Sequence, residues 1–393
     1  MNKKYNIIYN SHYPWSDIMS RYTNLAITLS KSKHVNKLVF LEPLKRIGDI
    51  TTFGKAIRNL PRLGRYGEIK KSPFSINTAI SPVPFVSRFR YAHAVEKLWE
   101  DFTIKRLVNL IPPENRILLV QGATDFRLRL IKQFKKEGYL TIFDWGNLYE
   151  KDAAPKIVQN KIAFLCREMA SEADIVLAVS PRIAKIALSF NKSTFTFPDA
   201  VYKDLIVQKA FSPKNKEVRL ENAVVCYYGL MNPVKLAYDI INRVAQKKRK
   251  WKFIFIGPQN DPTNSGQKIE GENIEVLPPM DGWSLHAFLR EKVDLCFMPY
   301  TLGDEVVRAS SPLKLYESLS HGMPIVSTDT FDPGDARKLL SFGSSISELV
   351  SAMEYELETD CLEKRKERIE YAKKHTWEKR AEELINIIRS VTA

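Results

Sequence analysis

The stretch Ser310–Asp329, SSPLKLYESLSHGMPIVSTD, carries a short helix and a strand back to back. Ser310-Ser311-Pro312 reads as a helix start, with a hydroxyl for the cap and Pro at the first helical position, where its missing N–H is no loss. Leu315 and Leu319 lie one turn apart and predict a core-facing side, while Lys314 and Glu317 share another. Gly322 stops the helix, and Ile325–Ser327 reads as a buried strand. A plain αβ unit leaves two features over: the polar start and the Lys–Glu pair in its first turns. Unpaired N–H groups and the helix dipole suit a phosphate. A carboxylate one turn deeper can accept hydrogen bonds from sugar hydroxyls. Phosphate and ribose together point to a nucleotide.

Working outward, the same alternation of apolar run and amphipathic stretch continues in both directions. Strands are predicted at Tyr5–Tyr9, Lys37–Leu41, Ile117–Val120, Leu140–Phe143 and Ile175–Val179, with helices at Ile18–Ser30, Arg90–Leu110, Arg127–Glu137 and Ile157–Ala173 between them. A second series follows at Ala223–Tyr228, Trp251–Ile256, Ile274–Val276, Asp294–Met298 and Ile325–Ser327. Such alternation predicts α/β architecture with parallel sheets covered on both faces. Two series in 393 residues predict two doubly wound, Rossmann-like domains. The join falls in the polar passage DAVYKDLIVQKAFSPKNKEVRLENA, giving domains at 1–205 and 206–374, with the segment 375–393 returning to the first.

Hydrophobic content of 44% and charged content of 27% are those of a soluble globular chain. Apolar runs are strand-sized, so no transmembrane helix is expected, and MNKKYNIIYN reads as a first strand rather than a signal peptide. The four cysteines have no metal or redox spacing and read as reduced thiols of a cytoplasmic protein. The net charge of +15 lies wholly in residues 1–200, and residues 201–393 balance to zero. It is densest from Lys45 to Arg90, where Arg and Lys alternate with Leu, Ile, Phe and Tyr. No zinc spacing, RNP-type aromatic motif or basic heptad helix accompanies it, so nucleic acid is not the expected partner. Basic residues mixed with apolar ones suit an anionic membrane surface, which places the chain at the inner face of the plasma membrane.

Gly48–Ala56 (GDITTFGKA) fails as a P-loop, because its glycines are too far apart and Ala56 stands where a magnesium-binding hydroxyl belongs. GxGxxG, HExxH and GxSxG patterns are missing, as is an Asp-x-Asp metal clamp. No metal and no cofactor are expected. In VVCYYGLMNPVKLAYDII, Gly229 ends a strand and lets the chain turn close to a ligand, and Lys235 enters at the following junction. The strand end Pro299-Tyr300 and the start at Ser310 converge on the same side, where open α/β sheets bind ligands.

Taken together, VDLCFMPY, EVVRASSPLKLYESLSHGMPIVSTD and AKKHTWEKRAEELINII resemble the nucleotide-sugar half of GT-B glycosyltransferases. The resemblance is to family-4-like enzymes of bacterial surface polysaccharide synthesis, of the teichuronic-acid and xanthan types. TIFDWGNLYEKD and EMASEADIVLAVSPRIAKIA are similar to first-domain segments of that family. The resemblance implies two domains facing across a cleft. It implies that Glu317 holds the ribose and that Lys314, with the amides of Ser310 and Ser311, binds the diphosphate. Lys235 matches a lysine that many members carry after the first strand of this domain. Two positions depart from the pattern: Ala309 stands where retaining members have a second Glu, and Leu230 where an Arg follows the first Gly. Arg308 is then a candidate for a phosphate or a sugar carboxylate.

The implied reaction moves a sugar from an NDP-sugar, UDP or GDP, to a polyprenyl-linked or growing oligosaccharide acceptor, with Lys314 neutralising the leaving diphosphate. For an inverting reaction a general base is needed on the first-domain side. Asp144 is the first choice, His12 the second and Asp125 the third, with Trp15 and Arg21 lining the acceptor side. A nucleotide-sugar epimerase of the same fold and a catalytically silent binding protein are the alternatives.

Overall fold

A computed structural model describes residues 3–15, 20–43, 45–46, 69–71, 74–77, 80–81, 90–151, 155–210, 212–213, 216–261 and 265–392. The first half contributes strands β1 (Tyr5–Asn10), β2 (Val35–Leu41), β3 (Lys45–Arg46), β4 (Ile69–Lys71), β5 (Phe74–Asn77), β6 (Ile80–Ser81), β7 (Arg116–Gln121), β8 (Leu140–Trp145), β9 (Ile175–Ala178) and β10 (Thr194–Thr196). Eight of them form one sheet in the order β10-β9-β8-β7-β1-β2-β5-β4. Every pairing in it is parallel except β4 with β5. The central strands are buried along all of β1 and all but the first residue of β7 and β8, as expected of a parallel sheet with helices on both faces.

The second half contributes β11 (Val224–Tyr228), β12 (Lys252–Ile256), β13 (Ile274–Leu277), β14 (Leu295–Met298), β15 (Ile325–Thr328) and β16 (Ser341–Gly343). They form a wholly parallel sheet in the order β13-β12-β11-β14-β15-β16. Counted within the domain this is 3-2-1-4-5-6, the doubly wound order with its switch point between the first and fourth strands. Its core includes Trp251, Phe253, Phe255 and Phe297, all fully buried. The two expected strand series are therefore present, and the chain passes from one sheet to the other between β10 and β11. The strands β3, β4, β5, β6, β10 and β16 and the helices Ile346–Thr359 and Leu362–Lys374 were not anticipated.

The final helix, Trp377–Thr392, leaves the second domain and packs against the helix Arg21–Lys31 of the first. Val201 and Thr376 form a bridge at this crossing, with Trp377 N donating to Val201 O at 3.0 Å. Trp377, Ala381, Leu384, Ile385 and Ile388 form its buried stripe, at the spacing an amphipathic helix requires. Among the described residues no helix is long and apolar enough to cross a membrane. The densest basic segment, Lys45 to Arg90, lies for the most part outside the described residues.

Candidate active site

The strands β11, β12, β14 and β15 end on one side of the second sheet, and a cavity opens there. Tyr228, Gly229, Gly257, Met280, His286, Lys314 and Glu317 are among the residues that line it. Two glycines make the approach possible. Gly257 has φ +143°, and a Cβ there would stand 2.1 Å from the Gly229 carbonyl oxygen. Gly229 has φ +119° and faces the Lys314 ammonium, 3.6 Å from where its own Cβ would be. Only glycine fits the close approach at Gly257, and both positive φ angles favour it.

Lys314 lies in the first turn of the helix Leu313–Ser320. Its Nζ donates to the Tyr300 hydroxyl at 3.2 Å and stands 4.9 Å from the Tyr227 ring centroid and 5.4 Å from that of Tyr300. Burial works against the charge of Lys314, but its neighbours Tyr227 and Tyr300 outweigh burial and hold its pKa above the ordinary lysine value. Burial likewise raises the Tyr227 phenol, to about 12, so the phenol is neutral at neutral pH. Ring faces and a hydroxyl dipole thus hold a cation that has no carboxylate partner among the described residues. Tyr300 is itself fixed, since the Thr328 hydroxyl donates to its carbonyl at 2.7 Å. A lysine held this way is available to an anion.

Glu317, one turn further on, is buried to 6% exposure and makes no ion pair with Lys or Arg among the described residues. Its neighbour is His286, whose Nε2 lies 3.7 Å from Glu317 Oε1. His286 Nδ1 in turn lies 2.7 Å from Nε2 of His321. Burial, with His286 and Arg290 nearby, lowers the His321 pKa to about 3, so that ring is neutral. Sequence reasoning missed both histidines. The one available signal was a polar ring between the apolar Leu285 and Leu289 of a helix, GWSLHAFLREK.

Several expected details are corrected. Pro312, not a hydroxyl residue, is the cap of the Leu313 helix, and no side chain caps it. The Ser310 amide and hydroxyl both go to Val307 O, at 3.0 and 2.7 Å, closing the helix Glu305–Arg308, so that amide is not offered to a phosphate. The Ser311 hydroxyl accepts from the Asp199 amide at 3.2 Å and meets the Tyr316 hydroxyl, which ties the helix start to the first domain. The first-turn amides of Leu313 and Lys314 have no intrahelical acceptor. Lys235 does not line the cavity; its backbone clamps the loop, accepting from Thr301 N at 2.9 Å. Arg308 is exposed and also lies outside the cavity lining. Ala309 is fully buried against the first domain, its carbonyl accepting from the Ser180 hydroxyl at 2.7 Å. A glutamate there would be driven into that contact.

On the first-domain side, Asp144 and Arg21 form a buried structural pair, which removes both from the roles expected of them. Arg21 reaches Asp144 through Nε at 3.0 Å and Nη2 at 2.7 Å, and Asp199 through Nη1 at 2.8 Å. Burial opposes the Arg21 charge, and the two carboxylates more than offset it, raising its pKa. With both oxygens taken and no exposure, Asp144 is not placed to collect a proton from an acceptor. Asp125 is held by Lys161 at 2.6 Å on the outer surface. Trp15 packs edge-on to Phe40 with ring centroids 5.0 Å apart, its amide donating to Glu42 at 3.0 Å, which is a packing role. His12 alone of the three base candidates stands at the switch point of its sheet, after β1 and over Gly122 at the end of β7. Its Nδ1 lies 3.5 Å from Nη1 of the buried Arg127.

Comparison with known proteins follows the same division. Residues 222–355 match the family described as glycosyl transferases group 1. The second domain is thus a glycosyl transferases group 1 domain, set in a two-domain GT-B-like architecture. No curated protein matches the chain. Among solved structures, one described as trehalose-6-phosphate from E. coli bound with UDP-2-fluoro glucose is similar over 97% of this chain and 98% of its own, with a TM-score of 0.65 and 11% identity. HepE of Anabaena, in complex with UDP and glucose, is similar over 98% and 100%, with a TM-score of 0.63 and 12% identity. The UDP-forming alpha,alpha-trehalose-phosphate synthase of Burkholderia vietnamiensis is similar over 98% and 97%, with a TM-score of 0.66 and 12% identity.

Proposed function

We propose that the protein transfers a sugar from a UDP- or GDP-sugar to a lipid-linked or growing cell-surface glycan. The observation that carries this reading is the pairing, in one cavity, of a lysine with no carboxylate partner among the described residues and a buried carboxylate one turn deeper. The diphosphate would lie against Lys314 and the amides of its turn, and Glu317 would take the ribose hydroxyls. As the glycosidic bond breaks, charge builds on the diphosphate, and a fixed cation stabilises it most at that point. His12, at the facing switch point, would meet the acceptor hydroxyl. UDP-2-fluoro glucose in one similar structure, and UDP with glucose in another, agree with a nucleotide-sugar donor.

Glu317→Ala should lose about 3 kcal/mol or more of donor affinity, since two hydroxyl hydrogen bonds to a carboxylate are lost. Calorimetry with UDP and GDP checks this, and unchanged affinity would remove the nucleotide from this cavity.

The reaction is proposed to need no metal, with Lys314 and the helix start neutralising the leaving group. Turnover in EDTA should match turnover with magnesium or manganese; activity that returns only with the metal would refute the proposal.

The basic first half is proposed to rest on an anionic membrane at the cytoplasmic face, where a polyprenyl-linked acceptor is presented. Exposed Ile157 and Phe164 beside Lys161 on the helix Lys156–Glu172 add apolar contact to the charge. Each basic residue near such a surface contributes about 1 kcal/mol, decaying within a Debye length of about 8 Å. Binding to anionic liposomes should weaken sharply with salt, and reversing Arg58, Arg62 and Arg65 to Glu should abolish it while sparing donor binding. Equal binding to neutral vesicles would reduce the charge to a solubilising surface.

A further inference from the structure

We infer that His286 is a positioning residue for the donor ribose, directing its Nε2–H at Glu317 because His321 fixes its tautomer. The inference rests on the nucleotide reading of this cavity and deepens it. His286 is 3% exposed and lines the cavity; His321, behind it, is 7% exposed and does not. The two rings share one hydrogen bond, 2.7 Å between His286 Nδ1 and His321 Nε2, so one nitrogen donates and the other accepts.

His321 Nδ1 decides which. It is buried and has no hydrogen-bond partner among the described residues. A buried N–H with no acceptor is the rarer arrangement in a protein interior. The single proton of the neutral His321 ring therefore sits on Nε2 and is donated to His286 Nδ1. That makes His286 Nδ1 the acceptor and leaves its own proton on Nε2, the nitrogen facing Glu317 Oε1 at 3.7 Å. The reverse tautomers would place an N–H on His321 Nδ1 with nothing to receive it.

The distance of 3.7 Å exceeds a hydrogen bond, so His286 steers the carboxylate without clamping it. A small rotation of Glu317 closes the gap as its oxygens turn to meet two hydroxyls of a diol. A third donor on the far side then limits the carboxylate to the orientation the diol needs. The helices Gly282–Lys292 and Leu313–Ser320 supply the two partners, so the geometry belongs to the fold rather than to a loop.

A pair of histidines that merely fills the core would affect all ligands alike, and this separates the two roles. Affinities for UDP and GDP, and for their 2′-deoxy counterparts, are measured for the wild type, His286→Ala, His286→Gln, Glu317→Ala and the double variant His286→Ala/Glu317→Ala. His286→Ala should weaken the ribonucleotide about tenfold and erase most of its preference over the 2′-deoxy form. His286→Gln, whose amide can donate from nearly the same place, should recover much of both. In the Glu317→Ala background His286→Ala should have no further effect, the signature of two residues acting as one unit. Equal weakening of ribose and deoxyribose forms, or additive losses in the double variant, would overturn the inference while leaving the nucleotide reading intact. Unchanged affinity in Glu317→Ala would instead overturn the nucleotide reading, and this inference with it.

Discussion

Arg21→Met is expected to destabilise the first domain by about 3–5 kcal/mol, because it leaves buried Asp144 without a counter-ion. Asp144 has no solvent exposure, and Arg21 supplies both of its side-chain hydrogen bonds. The same guanidinium reaches Asp199 and donates to Phe197 O at 2.9 Å, so four bonds radiate from one side chain. Methionine keeps the volume of the stem and removes the charge, which isolates electrostatics from packing. Urea unfolding followed by tryptophan fluorescence should show the lower midpoint, since Trp145 sits at the end of the strand carrying Asp144. Arg21→Met combined with Asp144→Leu should be milder than Arg21→Met alone, as the stranded charge is then gone. A single variant as stable as the wild type would mean that Asp144 is protonated or solvated in the fold. A turnover defect without any loss of stability would restore Arg21 to the acceptor side.

The second large effect falls on turnover. Lys314→Ala should lower kcat by roughly 10²–10³-fold, the range for removing one preorganised group facing developing charge. Donor affinity should fall less, because the charge on a departing diphosphate exceeds that in the bound donor. The tyrosines around Lys314 hold the ammonium in place before the donor arrives, so little reorganisation accompanies the reaction. Steady-state kinetics with saturating acceptor checks this. A raised KM at wild-type kcat would show that Lys314 only holds the donor.

The second domain was the more legible half, and the reason is local. Its strands are mainly apolar runs, VVCYY, KFIFI, LCFM and IVST, whose burial on both faces is written into composition. Lys314 and Glu317 stand three apart on one helix, so sequence spacing alone puts them together. The first-domain site was misread for the opposite reason. Arg21 and Asp144 are 123 residues apart, and nothing near either one announces a partner. A strand-end aspartate that is free and one that is salt-bridged look the same in sequence. The serines at 310 and 311 were assigned to the following helix by their type, yet one closes the preceding helix and the other joins the first domain. Local hydroxyl chemistry serves either end, and only the tertiary contacts choose. His286 and His321 became a pair only when two helices brought them together.

The most direct measurement is release of nucleoside diphosphate from UDP- and GDP-sugars, with and without a polyprenyl-linked or oligosaccharide acceptor. Transfer predicts that diphosphate appears in step with sugar on the acceptor, and only slowly when the acceptor is left out. An altered nucleotide sugar formed without acceptor, or tight donor binding with no turnover under any condition, would contradict a glycosyltransferase built on this cavity.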